Sequence, residues 1–377
     1  MSGATTFERS EFEARLARFR EMMARHDLGL VLIDRAEFLA WLTGYDASGT
    51  RYRALLVACD GEPVLVDRTL DAAPYLEVSP YNEHVSIDDS TDMLGAVVAT
   101  MQARGGPLDR VGIDGASYNL HVTGFRALEA ALPATTWVDL SDDLEALRWI
   151  KSPAEIERLR HASGIADTAM AETIASAAPG MTERDAAVTA SSAFVRLGAD
   201  RGECGPITAG TGWDFLHGHT HDRPLEQGDV LHMELVPWFG GYSARLMRNC
   251  IIGPPSDEQQ AIADRLIALQ DEQIAAMTVG ASAGAIDHIV REPILAEGLR
   301  ETFDNVSGYT LGHYPRFSPV ASDFSRCFLP ESDWELEAGM TFHMYLSARG
   351  LAISETVVVT SDGPERLTRI ERRLFHT

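Results

Sequence analysis

The hydrophobic positions change period several times along the chain. Residues 7–27 place Phe12, Leu16, Phe19 and Met23 at helical spacing with charges between them, which predicts an amphipathic helix. Strands are predicted at Gly29–Ile33, Ala54–Ala58, Pro63–Val66, Arg110–Ile113 and Thr136–Asp139, with helices near Asp92–Arg104 and Gly124–Ala131. This alternation predicts an α/β unit ending near residue 148. A different pattern then begins. Ser152 is placed to cap a helix, Pro153 to occupy its first turn and Glu155 to close a capping box, with the helix running to about Ala177. Thr182 caps a second helix reaching Leu197, and a strand-rich region follows over roughly 204–253. Helices at Asp257–Met277 and Ser282–Glu297 and strands at Gly308–Gly312, Met340–Leu346 and Ala352–Thr360 repeat the order helix, helix, strands. The repetition predicts a pseudo-symmetric second domain, 149–377, with a site between its halves.

Within that domain, residues 228–248 form an apolar run that reaches Gly240-Gly241 and resumes, the pattern of a hairpin. A turn centred between Phe239 and Gly240 puts Glu234 opposite Arg245, close enough to pair. An adjacent guanidinium favours the charged form of Glu234, which suits it to act as nucleophile or general base and leaves proton donation to a histidine.

Composition narrows the function. A chain of 377 residues with 45% hydrophobic content can fill two cores. Its net charge of −24 argues against nucleic-acid or anionic-membrane partners, because no basic stripe is available to neutralise phosphates. Cys59, Cys204, Cys250 and Cys327 are scattered without CxxC spacing, as expected of buried free thiols in a reducing cytoplasm. The stretch Met1–Glu13 has no apolar core, so neither a signal nor a transit peptide is expected, and no apolar run has the length of a membrane span.

Several segments, taken in order, resemble one family: Leu147–Ile156 with its long helix, Pro179–Glu183, Gly228-Asp229, Gly241-Tyr242, Gly312-His313, Glu337–Met340 and Thr356–Glu365. They are similar to the creatinase, prolidase and aminopeptidase P family. The resemblance implies a creatinase-like N-terminal α/β domain over 1–148, followed by a pita-bread catalytic domain over 149–377. It also implies five metal-ligand positions, which here hold Glu234, Arg245, His313, Tyr345 and Ser354. Only the first and third keep a plausible ligand, and a guanidinium repels a cation and has no lone pair to offer.

The metal-free branches, creatinase and ectoine hydrolase, are therefore the closer resemblance. The creatinase histidine, eleven residues before the Gly-Asp pair, falls on His217, and the glutamate that ectoine hydrolases keep at the first ligand position falls on Glu234. Creatinase carboxylates fall on Met247 and Ser354, so creatine is not the expected substrate. What the resemblance implies is a metal-independent, cofactor-free hydrolase of a non-peptide C–N bond in a small amidine, guanidino or cyclic amide compound. In that reading His217 shuttles the proton, His313 stabilises developing charge and Arg245 holds Glu234 ionised. A homodimer is implied too, with Arg51 lent to the partner's site; the plain alternative for Arg51 is a solvated loop charge.

Other readings stay open. Tyr345 and Glu355 are candidates for substrate contact, although strand alternation sets Glu355 on the face opposite Ser354. Trp238 and Phe239 either wall a pocket or pack the hairpin end. Arg316 and Arg326, in a stretch that reads as a long irregular loop, could each hold a substrate carboxylate. His217, His219 and His221 alternate and could together bind a zinc ion. At the level of the whole chain, the alternatives are a metal-dependent Xaa-Pro dipeptidase and a peptidase-like domain that binds peptides without catalysis.

Overall fold

A computed structural model describes residues 7–46, 49, 51–104, 108–210, 216–320 and 322–377. The chain divides into two compact units: one runs up to Arg148 and includes His313–Pro319, and the other comprises Trp149–Gly312 and Val320 onward.

The first unit is built on strands β1 (Leu30–Ile33), β2 (Ala54–Ala58), β3 (Val64–Arg68), β4 (His84–Ile87), β5 (Arg110–Ile113) and β6 (Thr136–Asp139). They form a mixed six-stranded sheet in the order β4-β3-β2-β1-β5-β6. Helices α1 (Arg9–Arg25), α2 (Ala36–Thr43), α3 (Ala72–Val78), α4 (Met93–Ala103), α5 (Val122–Ala131) and α6 (Ser141–Trp149) accompany it. Period-2 alternation sends Val31, Ile33, Leu55 and Val57 into one core with Phe12, Phe19 and Trp41. Leu30, Leu32, Ala54 and Leu56 enter a second core with Val97 and Leu128. Each of these strands is buried on both faces, which is why it reads as a continuous apolar run rather than an alternating one.

The second unit begins with α7 (Pro153–Ser176) and α8 (Glu183–Arg196). The capping box at Ser152 and Glu155 is formed, and Thr182 caps α8 with Asp185. Next come β7 (Ile207–Gly210), β8 (Val230–Leu235), β9 (Trp238–Phe239), β10 (Tyr242–Ser243) and β11 (Leu246–Ile251), then α9 (Asp257–Ala275) and α10 (Ala283–Ala296). The chain closes with β12 (Gly308–Thr310), β13 (Asp323–Phe328), β14 (Thr341–Ala348), β15 (Leu351–Thr360), β16 (Gly363–Arg366) and β17 (Phe375–His376). One sheet runs β17-β11-β8-β7 and the other β13-β12-β14-β15-β16.

The internal repeat is visible in individual hydrogen bonds. Gly180 N donates to Leu225 O and Gly280 N donates to Leu336 O, both at 2.8 Å. Leu225 N returns to Met181 O at 2.7 Å, and Leu336 N returns to Ala281 O at 3.0 Å. Gly228 and Gly339 take the same left-handed conformation, φ 93° and 94°, at the turn that feeds β8 and β14 respectively.

Three expectations are corrected. Glu234 faces Met247, not Arg245, in the β8–β11 ladder, because the turn is centred between Gly240 and Gly241 with Phe239 opposite Tyr242. Both glycines have positive φ, 58° and 78°, which a two-residue hairpin turn requires. Arg326 lies in β13, an edge strand, and not in an irregular loop. All four cysteines are free, but only Cys250 is buried and Cys59 is exposed. Among the described residues, no helix is long and apolar enough to cross a membrane.

Candidate active site

Alternation along β8 sends Leu231, Met233 and Leu235 into the core beneath α7 and α8 and turns His232 and Glu234 to the other face. Along β14 the same rule sends Phe342 and Met344 into a core and leaves His343, Tyr345 and Ser347 on the opposite side. Polar residues on these strands therefore converge where the apolar ones diverge.

Glu234 is 2% exposed. Its Oε1 accepts a hydrogen bond from Arg245 Nη1 at 2.6 Å, while Oε2 has no hydrogen-bond partner among the described residues and lies 4.0 Å from His217 Nε2. Arg245 reaches Glu234 diagonally, as the residue two before its ladder partner, a separation that a long side chain spans. The arginine is fixed on several sides. Its backbone N donates to Thr356 Oγ1 and its backbone O accepts from the same hydroxyl, both at 2.9 Å. Nη2 donates to Ser322 Oγ at 2.9 Å. His217 is by contrast 82% exposed, on the loop leading towards β8.

His217 borders a pocket of about 390 Å³, lined also by His232, Met247, Arg300, Asn305 and Tyr345 together with Leu216, Ser347 and Ala352. Burial, assisted by the nearby His217, lowers the His232 imidazole to about 3, so it stays neutral. His343, wholly buried, is likewise held well below its usual range by burial and by the charge of Arg245; its Nδ1 lies 2.9 Å from the Tyr309 hydroxyl. Burial pushes the Tyr309 and Tyr345 hydroxyls up. Tyr345 OH accepts from Asn305 Nδ2 at 3.0 Å, and Asn305 Oδ1 accepts from Arg300 Nη1 at 2.8 Å.

The second unit thus brings together His217, Glu234, Arg245 and Tyr345. His313 and Arg51 belong to the first unit. There burial, with Arg148 and Arg15 nearby, holds His313 well below its usual range, and its backbone O accepts from Arg148 Nη2 at 2.6 Å. Arg51 pairs with Asp89 at 3.6 Å. Glu355, fully buried on the face opposite Tyr345, is taken up by Arg248 at 2.8 Å, Arg372 at 3.1 Å and the Thr368 hydroxyl. Trp238 packs under the Arg201 guanidinium at 3.4 Å, and Arg326 stacks on Trp149 at 3.9 Å. Arg316 N donates to Asp46 Oδ2 at 2.9 Å. Sequence reasoning misses His232, His343, Tyr309, Arg300 and Asn305. The first three stand inside apolar strands, and only the face each occupies distinguishes them.

The donor set does not fit two divalent cations. Arg245 already supplies a positive charge to Glu234, the Ser354 hydroxyl accepts from Met247 N at 2.7 Å, and the Tyr345 hydroxyl accepts from Asn305. Among the described residues no group of three or more His, Cys, Asp or Glu is assembled to hold a metal. The alternating histidines do not converge either: His217 faces Glu234, whereas His221 pairs with Glu183 at 3.4 Å.

The chain resembles known proteins over its whole length. The profile of the Creatinase/Prolidase N-terminal domain matches residues 15–150, and that of Metallopeptidase family M24 matches residues 157–361. An ectoine hydrolase of Halomonas elongata is 26% identical over 402 residues, covering 98% of both chains. An Xaa-Pro dipeptidase of Pyrococcus furiosus is 28% identical over 238 residues, covering 63% of this chain and 68% of its own. Among solved structures, the prolidase of Pyrococcus horikoshii OT3 superposes with a TM-score of 0.81 over 96% of this chain and 99% of its own at 21% identity, a likeness of fold. The match at 157–361 spans more than half of the 377 residues, and the chain belongs to Metallopeptidase family M24.

Proposed function

We propose that this chain is a metal-independent hydrolase of a non-peptide C–N bond in a small amidine, guanidino or cyclic amide compound. One observation carries the reading: at a position where the family resemblance implies a metal ligand, Glu234 is paired with a guanidinium through one oxygen and presents the other, buried and without a hydrogen-bond partner among the described residues, beside His217. A buried carboxylate oxygen without a donor is unfavourable in itself, and an N–H-bearing ligand or a water that it activates satisfies it. The likeness to the Halomonas elongata ectoine hydrolase over nearly the full length of both chains supports the same reading.

In the general-base route, Glu234 Oε2 takes a proton from water as the hydroxyl adds to the substrate carbon. His217, protonated, gives its proton to the departing nitrogen as the C–N bond breaks. Proton transfer from Glu234 to His217, relayed by one water across the 4.0 Å between them, resets both groups. In the nucleophilic route Glu234 itself bonds to that carbon and water later releases it. Arg245 stabilises the carboxylate in both. His313 as a stabiliser of developing charge, and Arg51 as a clamp lent to the second subunit of a cytoplasmic homodimer, complete the proposal.

A metal-dependent Xaa-Pro dipeptidase is the second reading, favoured by the Pyrococcus furiosus relative. Screening creatine, ectoines, hydantoins, guanidino acids and Xaa-Pro dipeptides for turnover in the presence of a chelator separates the two. Turnover of an amidine, guanidino or cyclic amide compound supports the proposal, and turnover of dipeptides alone, lost on chelation, overturns it.

A further inference from the structure

Alternation puts His232 and Glu234 on one face of β8, with a single residue between them. Across the ladder His232 faces Asn249, as Glu234 faces Met247. Both partners are tied to β15 of the other sheet: Met247 N donates to Ser354 Oγ at 2.7 Å, and Asn249 Oδ1 accepts from Ala352 N at 2.6 Å. A backbone N–H gives only to an acceptor, so the second bond fixes which end of the Asn249 amide is oxygen. Its NH2 group is then the end that lies 3.4 Å from His232 Nδ1.

That contact orients the imidazole. An NH2 group donates, so Nδ1 accepts and the ring proton sits on Nε2. Nε2 makes no hydrogen bond among the described residues, although His232 is 1% exposed, and the ring lines the pocket of about 390 Å³. A buried N–H is unfavourable without an acceptor, supplied by water or by a ligand. His217, 4.0 Å from Glu234 Oε2, lines the same pocket. So does Tyr345, whose hydroxyl oxygen takes an Asn305 N–H and leaves its own hydrogen to give. No carboxylate stands among the described lining residues, and the Arg300 guanidinium there is already engaged with Asn305 and acted on by Asp304. The lining thus offers donors to a neutral acceptor and no counter-ion to a cation.

Building on the proposed hydrolase, we infer that His232 is a specificity-determining residue whose Nε2–H donates to a carbonyl oxygen of the substrate, so that the pocket selects cyclic amides over amidines and guanidino compounds. A lactam oxygen accepts such a bond, whereas a protonated amidine or guanidinium carries N–H donors alone. The assignment does not depend on the charge of the ring, because Nε2 bears a proton in this neutral tautomer and in the cation alike.

The test reads binding and the ring itself, independently of turnover. The lactams 2-pyrrolidinone and 2-piperidinone, each beside its thiolactam, a neutral and weaker acceptor, and its cyclic amidine, are titrated into the full chain carrying ¹⁵N-histidine and followed by NMR. The His232 signals, assigned by their loss in His232→Leu, should show the proton on Nε2, and that nitrogen should shift as the lactams bind. At least one lactam should bind about fivefold or more tightly than both of its counterparts. The preference should fall below about twofold in His232→Leu and be partly kept in His232→Gln, whose amide nitrogen can stand in for Nε2. Should His232→Leu not fold, His232→Phe and the wild-type titrations carry the same readings. A proton on Nδ1, equal affinity for lactams and counterparts, binding of none, or a preference unchanged in the variant overturns the inference. Lactams that bind through His232 but are never hydrolysed leave it standing and count against the hydrolase reading. Hydrolysis of amidines or guanidino compounds that requires Glu234 and is unaffected by His232→Leu does the reverse.

Discussion

Arg245 Nη1 sits 2.6 Å from Glu234 Oε1, although Met247 is the residue that faces Glu234 across the ladder. The pair is therefore a diagonal one, reached because both side chains leave the same face of the sheet. With Glu234 at 2% and Arg245 at 11% side-chain exposure, neither charge has much water to fall back on.

Breaking that pair from one side should be costly. Arg245→Met leaves a buried carboxylate without its cation, and a loss of about 3–5 kcal/mol is expected in urea unfolding. Removing the charge from both sides in Glu234→Gln/Arg245→Met should recover a large part of it. A double variant as unstable as the sum of the singles would show that the two charges do not stabilise each other.

Turnover should fall by about 10²- to 10⁴-fold in Glu234→Gln and in His217→Asn, measured on whichever amidine, guanidino or cyclic amide compound the screen identifies. The two differ in their effect on folding. His217 is 82% exposed, so its replacement should move stability by no more than about 0.5 kcal/mol. Full activity in either variant removes the proposed roles.

Single-turnover reaction in ¹⁸O-water, followed by mass spectrometry of the peptide containing Glu234, distinguishes the two routes. Label in the carboxylate marks nucleophilic attack with release at the Glu234 carboxyl carbon, an added substrate mass on that peptide in acid-quenched enzyme marks nucleophilic attack whichever carbon water then takes, and label in the product with neither marks a general base.

The first unit carries its own pH signature. Burial raises Asp34 to about 6 and Asp67 to about 7, from an ordinary 3.8. Between the unfolded and folded values the native state holds more protons than the unfolded state. The stability these groups contribute is therefore complete below about pH 4 and is lost as pH rises towards 7. Asp67→Asn should flatten the fall in unfolding free energy over that range, and an unchanged slope contradicts the assignment.

Much of this architecture is legible in the sequence because local chemistry decides it. Ser152, Pro153 and Glu155 specify a helix start whatever surrounds them, and the apolar strands of the first unit leave little choice of period. The hairpin register is less accessible: centring the turn one residue early moves Glu234 from Met247 to Arg245, and only the positive φ of both Gly240 and Gly241 fixes it. β13 escapes sequence reading because Asp323, Ser325 and Arg326 dilute its apolar positions, as suits an edge strand. Of the candidate site, Glu234, His217 and Tyr345 are reached from the sequence through family positions. His232 and Arg300 are not, since an isolated histidine in an apolar strand and an arginine after a helix carry no pattern of their own.

In the proposed hydrolase a guanidinium stands where the family's metal chemistry would place a cation. Metal analysis of the purified chain by plasma mass spectrometry, paired with an activity assay before and after dialysis against chelator, tests this directly. Well under one manganese, cobalt or zinc per chain, with activity unchanged by the chelator, is the predicted result. One or two equivalents of metal, with activity lost on chelation and restored by the ion, would contradict it.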